Sequence, residues 1–346
     1  MLAAIFNGPG DLQLVDAPRP HANPGELVLR VGANTVCGTD GRILRGEKST
    51  GMNPGVILGH EIAGYVEEIG KGVTGFDEGD LVGVLPTVPC LRCFYCQRGS
   101  EHLCTDSKIF GYALDGGLSE FIRIPAEAME RGGVFTASSH LTAVQVALAE
   151  PLGCVVSSSA NFAVSAGDTV LVVGSGPIGL LHTQVARLRG AANIVVSDPS
   201  APRRELAARL GATHGVDPAE ESLEETVMGL TDGRGADTVI LCIGVPDLVA
   251  QALKLVRKRG HVSAFAGFPK GREARIDPNI IHYGEIFVSG ASNAGRASHA
   301  RALELISRGL VDVASLHTHT FPLEKVFDGI EMATSGEGVK VAIVAE

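Results

Sequence analysis

The chain has no surplus of positive charge, no long apolar run, no internal repeat of short period and no low-complexity segment. Its 29 Lys and Arg face 39 Asp and Glu, a formal net charge of −10. A phosphate backbone selects for clustered cations, so no nucleic-acid partner is expected, and an anionic membrane surface is disfavoured for the same reason. No uninterrupted hydrophobic stretch approaches the ~20 residues of a spanning helix, so no membrane association is expected. The opening Met1-Leu2-Ala3-Ala4-Ile5-Phe6 has neither the basic n-region nor the long apolar h-region of a signal peptide. A soluble cytoplasmic protein is the expectation. The 7 cysteines, an odd number in a long chain without an export signal, fit a disulfide scaffold poorly.

What is present is ordinary globular material, 45% hydrophobic and 20% charged over 346 residues, enough for about two domains. The 44 glycines imply many tight turns or backbone packed close to a ligand. Up to about residue 150 the chain reads as short strands broken by Gly and Pro: Leu27–Val31, Ile62–Ile69 and, after the Gly79-Asp80 turn, Leu81–Val84. From about residue 165 apolar strands alternate with amphipathic helices. The expected strands are Thr169–Val173, Ile194–Asp198, Thr238–Cys242 and His261–Phe265. The helices between them run to Arg189, from Ala201 to Leu210 and from Leu248 to Arg259; the tail holds a helix Arg301–Arg308 and a strand Val339–Val344. The fold class is therefore α/β, a β-rich barrel-like domain joined to a doubly wound parallel sheet.

The strand Val170–Val173 runs into Gly174-Ser175-Gly176-Pro177-Ile178-Gly179 and then a helix, which is G-x-G-x-x-G in the context that a dinucleotide site needs. Gly174 permits the turn, Gly176 lets the backbone approach a pyrophosphate, and Gly179 lets helix and strand pack closely. The helix start offers free N–H groups to phosphates. Nothing in the glycines alone separates this from a plain packed loop. Asp198, at the end of the next strand, is the acid expected on the adenosine ribose; its carboxylate favours NAD over NADP. Arg203 is close enough to receive a phosphate instead.

Cys90, Cys93, Cys96 and Cys104 lie within fifteen residues. Four thiolates in one loop close a tetrahedral Zn²⁺ shell, giving a structural site. Iron–sulfur ferredoxins share C-x₂-C-x₂-C but place the fourth cysteine at C-x₃-C-P, whereas Thr105 follows Cys104 here. Four free thiols on a polar loop would be an oxidation hazard.

Cys37-Gly38-Thr39-Asp40 and Gly59-His60-Glu61 are unremarkable singly, since a lone cysteine is usually a small buried hydrophobe. In order with Gly79-Asp80, the four-cysteine lobe, Glu150-Pro151-Leu152 and the glycine loop, they resemble the zinc-containing medium-chain alcohol dehydrogenases over essentially the whole chain. The likeness is greatest to the polyol (sorbitol-type) and threonine dehydrogenase branch. It implies a GroES-like catalytic domain from residues 1–151 and 290–346 and a Rossmann domain from 152–289, with the active site in the cleft between them. It further implies that Cys37 and His60 ligate a catalytic zinc, that Glu61 is a further ligand or a carboxylate close behind, and that Glu150 reaches the metal directly or through water. Cys154 competes with Glu150; the spacing from Glu150 to Gly174 suits the family better, leaving Cys154, like Cys242, as core. Thr39 matches the hydroxyl that receives the substrate proton and Asp40 the partner that orients His60, an ordinary turn being the plainer alternative. Lys340 is similar to a basic residue that closes on the cofactor, with a solvated strand-end lysine as the alternative.

Two departures from the family pattern stand out. Arg42 occupies the position, five residues after the zinc cysteine, where threonine-type enzymes carry a proton-passing histidine, and arginine cannot shuttle a proton at neutral pH. Asn293 stands where sorbitol-type enzymes often place an arginine against substrate hydroxyls, a role open to Asn293 or to nearby Arg296. The expected activity is NAD-linked oxidation of a secondary alcohol, a polyol or a sugar or cyclitol hydroxyl, with two zinc ions per subunit and a homodimer or homotetramer. The alternatives are an L-threonine 3-dehydrogenase or amino-alcohol dehydrogenase and, in another class, a catalytically silent dinucleotide-binding protein.

Overall fold

Leu27, Val28, Leu29, Val31 and Ala33 are all buried while Arg30 alone turns outward, so the strand Leu27–Thr35 is covered on both faces and takes a central place in its sheet. The computed structural model describes residues 1–345. The strand pairs antiparallel with Glu61–Ile69 and Phe121–Ile124, and at its C-terminal end with Lys340–Val344. The remaining strands of this seven-stranded sheet are Leu81–Val84, Val134–Thr136 and His317–Pro322. Its core is built from Leu27, Leu29, Ile62, Val66, Val82 and Ile122, each worth about 1.5–3 kcal/mol when fully buried. This sheet belongs to a unit comprising Met1–Gly153, Asn293–Gly309 and the chain from Val313 onward.

The second unit, Cys154–Ser292 with Leu310–Asp312, holds six strands, all parallel. Their order across the sheet is His214–Val216, Asn193–Ser197, Thr169–Val173, Ala236–Leu241, Val256–Ala264 and Phe287–Gly290. This is the Rossmann order, with its switch point between Thr169–Val173 and Ala236–Leu241. Every residue of Thr169–Val173 is buried, as expected of a strand flanked by helices on both faces.

Two helices differ from expectation. The one predicted over Leu248–Arg259 spans Asp247–Leu255, and the chain turns directly into the strand Val256–Ala264. The Arg257-Lys258-Arg259-Gly260 run looks like a basic helix C-terminus, yet Arg259 takes φ 58° at an irregularity in the strand pairing. The tail helix spans Arg296–Ser307, starting five residues earlier than expected behind Gly295. No helix among the described residues is long and apolar enough to cross a membrane.

Candidate metal centres and dinucleotide loop

The end of the strand Leu27–Thr35 leads into Cys37, which caps the short helix Gly38–Leu44. Asp40, in the helix's first turn and 1% exposed, accepts the Cys37 backbone N–H at 2.9 Å through Oδ2. Its other oxygen lies 3.2 Å from His60 Nδ1. One carboxylate thus fixes the Cys37 backbone and sets its charge beside the His60 ring, an arrangement in which a metal on Nε2 would leave the Nδ1 proton facing Asp40. Ligand atoms of Cys37, His60 and Glu61 all lie within 4.8 Å of one another. A thiolate, an imidazole and a carboxylate at that separation are the donors of an open zinc site.

Glu61 is not a bare carboxylate. In the sheet register it faces Thr35, whose hydroxyl donates to it in a short hydrogen bond. Lys340, at the start of the last strand, donates to Glu61 Oε1 at 2.7 Å and lies 2.5 Å from Oε2. Lys340 is only 4% exposed, so it is not a solvated strand-end lysine. The negative charge of Glu61 raises its pKa against the opposing effect of burial, which is the larger single influence. Glu150, in the first turn of the helix Ala149–Ser158, is buried and lies outside the three-residue set. Thr39 is half-buried in the first turn of its helix.

Tyr112, which sequence reasoning missed, meets the His60 ring edge-on at 5.5 Å and is 7% exposed. Its placement follows from backbone packing. The loop after Phe110 lies so close to the Gly59-His60 segment that a Cβ on Gly116 would run into the Gly59 carbonyl. Only a side-chain-free residue admits that approach. Burial pushes the pKa of the Tyr112 phenol up. Burial lowers the His60 pKa, but the surrounding Tyr112, Asp40 and Cys37 outweigh it and raise the pKa well above its ordinary value.

In the second cluster, Cys93 Sγ lies 3.5 Å from Cys96 Sγ and 3.9 Å from Cys104 Sγ. A tetrahedron with Zn–S bonds of ~2.3 Å has S···S edges of ~3.8 Å, so the spacing already fits the metal. The backbone N–H groups of Cys90 and Asp106 point at Cys104 Sγ at 3.2 and 3.4 Å. Those of Cys96 and Thr105 hold the Cys93 thiol down to about 5, in the thiolate form that zinc requires. Burial pushes Cys96 up to about 12. The lobe is tied to the tail helix by Arg296, which bonds Glu101 at 2.9 and 2.5 Å and the Arg131 carbonyl at 3.2 Å. The guanidinium is therefore engaged by the lobe, which leaves it less free for the substrate hydroxyls expected to meet it or Asn293. Asn293 sits in the left-handed region at φ 56°.

In the glycine loop, Gly174 has φ 92°, Gly176 caps the helix Pro177–Leu188 with open space where a Cβ would stand, and a Cβ on Gly179 would strike the Gly174 carbonyl. Pro177 and Ile178 form the helix's first turn. Asp198, 5% exposed, accepts the Ser175 N–H at 2.7 Å and the Ser200 N–H at 2.9 Å, one on each oxygen. The adjacent arginines divide: Arg204 donates to the Asp198 carbonyl and to Asp217 Oδ2 at 3.0 Å, while Arg203 is half-buried. Cys154 is half-buried instead of core. Cys242 lies one residue past the strand Ala236–Leu241, half-buried as a residue, and burial of its thiol raises its pKa.

The family description "Alcohol dehydrogenase GroES-like domain" matches residues 23–131 and "Zinc-binding dehydrogenase" matches residues 177–308. The L-threonine 3-dehydrogenase of Pyrococcus furiosus is 34% identical over 340 residues, covering 96% of this chain and 94% of the relative. The chain belongs to the zinc-dependent medium-chain dehydrogenase family. This dehydrogenase is also 31% identical to the erythritol/L-threitol dehydrogenase of Mycolicibacterium smegmatis, covering 99% of this chain and 97% of that one. A zinc-binding dehydrogenase from Sinorhizobium meliloti 1021, solved with NADP bound, superposes with a TM-score of 0.93 at 32% identity, covering 99% of this chain and 98% of that one. The activity is thus that of an alcohol-type oxidoreductase.

Proposed function

We propose that this dehydrogenase reversibly oxidises a secondary alcohol flanked by further hydroxyls, a polyol or sugar-like substrate, with NAD as acceptor. The observation that carries the reading is the convergence of Cys37, His60 and Glu61 within 4.8 Å, with Asp40 behind the imidazole. Cys37 and His60 would hold the catalytic zinc, and Cys90, Cys93, Cys96 and Cys104 the structural one. When bound, the catalytic ion supplies Lewis acidity that lowers the pKa of an alcohol toward neutrality. Glu61, already engaged by Lys340 and Thr35, acts as a charge behind the ligands in preference to a strong ligand. Glu150 is then the carboxylate left to complete the shell or to accept a vicinal hydroxyl, which favours polyols over simple alkanols. Thr39 takes the substrate proton, and Arg42 does not relay it onward.

Gly174, Gly176, Pro177, Ile178 and Gly179 would cradle the pyrophosphate, with Arg203 beside the adenosine ribose. Support for NAD comes from Asp198: two backbone N–H bonds fix its carboxylate beside the glycine loop, where it would repel a 2′-phosphate. The second reading, L-threonine 3-dehydrogenase, draws on the name of the Pyrococcus relative. A homo-oligomer is supported by the exposed edge strand Phe287–Gly290, with Phe287 57% and Val288 48% exposed, since a bare apolar strand edge invites pairing.

The test incubates zinc-loaded protein with NAD and either a polyol panel or L-threonine, following absorbance of the reduced cofactor. Turnover of polyols is expected; turnover of L-threonine alone overturns the reading in favour of the second. Metal analysis should find two zinc ions per chain, and one in Cys37→Ser.

A further inference from the structure

The loop after the helix Gly38–Leu44 sets an ammonium beside the Cys37–His60 pair. Lys48 Nζ lies 5.0 Å from the centroid of the Tyr112 ring, the ring that meets His60 edge-on. The charge is one aromatic ring away from the ligand imidazole. Lys108 and Lys340 each have a carboxylate at 2.7 Å, but Lys48 has none within 4.0 Å among the described residues. Burial lowers the Lys48 pKa, and the neighbouring Arg42 charge lowers it further while Cys37 raises it. Among the described residues the only carboxylate paired with Arg42 is Glu47, at 3.8 Å, and Glu47 is bound more closely by Arg45 at 2.6 Å. Lys48 therefore has no close carboxylate of its own among the described residues, and the negative groups nearest it, Cys37 with Asp40 and Glu150, act across the Tyr112 ring.

A half-buried ammonium without a counter-ion, next to a second cation, is electrostatically costly unless something negative visits it. The Tyr112 face offsets only part of that cost. The chain as a whole carries −10, so two neighbouring cations beside the Cys37–His60 pair run against the global charge. The same geometry gives Arg42 a purpose that proton relay does not.

We propose that Lys48, with Arg42 behind it, selects the charge of the substrate: the alcohol oxidised here carries an anionic group, a carboxylate or a phosphate, that pairs with Lys48 while the hydroxyl is held at Cys37 and His60. This rests on the alcohol-oxidising reading above and narrows it from polyols to polyhydroxy acids or polyol phosphates. A carboxylate or phosphate on an ammonium forms a charge-assisted bond about twice as strong as a neutral one, enough for about 10- to 100-fold in affinity.

The test is calorimetric binding to the zinc-loaded protein, independent of turnover, using glucitol, gluconate and glucitol 6-phosphate as neutral, carboxylate and phosphate forms of one carbon skeleton. At least one anion is expected to bind 10-fold or more tightly than glucitol, and which one does so assigns the source of the charge. Lys48→Met should abolish that preference while leaving glucitol binding and the melting temperature unchanged, and Lys48→Arg should retain most of it. In turnover, the Lys48→Met loss should fall on substrate KM, with kcat and the KM for NAD unmoved. Equal binding of the three ligands, no binding of any, or a preference that survives in Lys48→Met overturns the inference. Lys48-dependent anion binding without oxidation of any member would leave the anion site standing and overturn the reading of polyols as the substrates. Oxidation of neutral polyols without Lys48 dependence would do the reverse.

Discussion

The two metal-ligand clusters are built in opposite ways. The four-cysteine lobe collects its donors from one short tract and aims backbone N–H groups at the sulfurs, so its chemistry is uniform and its shell closed. The Cys37–His60–Glu61 cluster collects unlike donors from the ends of separate elements and holds them through buried charges: Asp40 on the imidazole, Lys340 on the carboxylate. A closed all-sulfur shell suits a permanent structural ion, whereas a mixed set with carboxylates behind it leaves room for chemistry. Stability should therefore reside in the first cluster and reactivity in the second.

The sharpest break of that contrast comes from paired cysteine changes. Cys37→Ala should lower kcat by about 1,000-fold or more with little change in melting temperature. Cys93→Ser should remove the other zinc ion and lower the melting temperature. Metal analysis with thermal denaturation separates the two, and loss of stability in Cys37→Ala would erase the distinction. A smaller but still large effect is expected from Lys340→Met, which strands the buried Glu61 charge at a cost of about 3–5 kcal/mol by urea unfolding. Adding Glu61→Gln to that variant should restore most of the stability.

The smallest effect is in acid. Burial lowers the pKa of His299 to about 4; its ring packs tilted against Phe135 at 5.0 Å, and neither ring nitrogen has a hydrogen-bond partner among the described residues. The unfolded chain takes up a proton below the ordinary value of 6.5, whereas the folded chain resists until about 4. His299 therefore costs nothing above pH 6.5 and draws stability down as pH falls from there toward 4. Cys93, held down to about 5, stays a thiolate through most of that range, so the lobe should outlast the packing around His299. His299→Phe should flatten the acid slope of the melting temperature while leaving the neutral value nearly unchanged.

What was legible in the sequence follows the same division. The lobe and the glycine loop are local patterns, where spacing alone fixes which atoms meet. The strand Thr169–Val173 was readable because burial on both faces demands a continuous apolar run. Of the environment of the second cluster, Asp40 beside His60 was legible through the family likeness, and the rest was not. Tyr112 reaches His60 only because two glycine-bearing segments touch backbone to backbone, and no residue spacing records that contact. Arg296 was singled out for its charge, but its partner Glu101 lies 195 residues away. The helix predicted to Arg259 overran because strand pairing, a tertiary effect, overrides the helical look of Arg257-Lys258-Arg259.

The Lys340–Glu61 pair spans 279 residues. On the ribosome the lobe can take its ion as soon as Cys104 emerges, since all four of its donors are then out. Glu61 receives its counter-charge only when the strand Lys340–Val344 is added to the sheet, late in synthesis. The lobe thus depends on nothing beyond Cys104, whereas the buried charge of Glu61 stays unbalanced until Lys340 has been made.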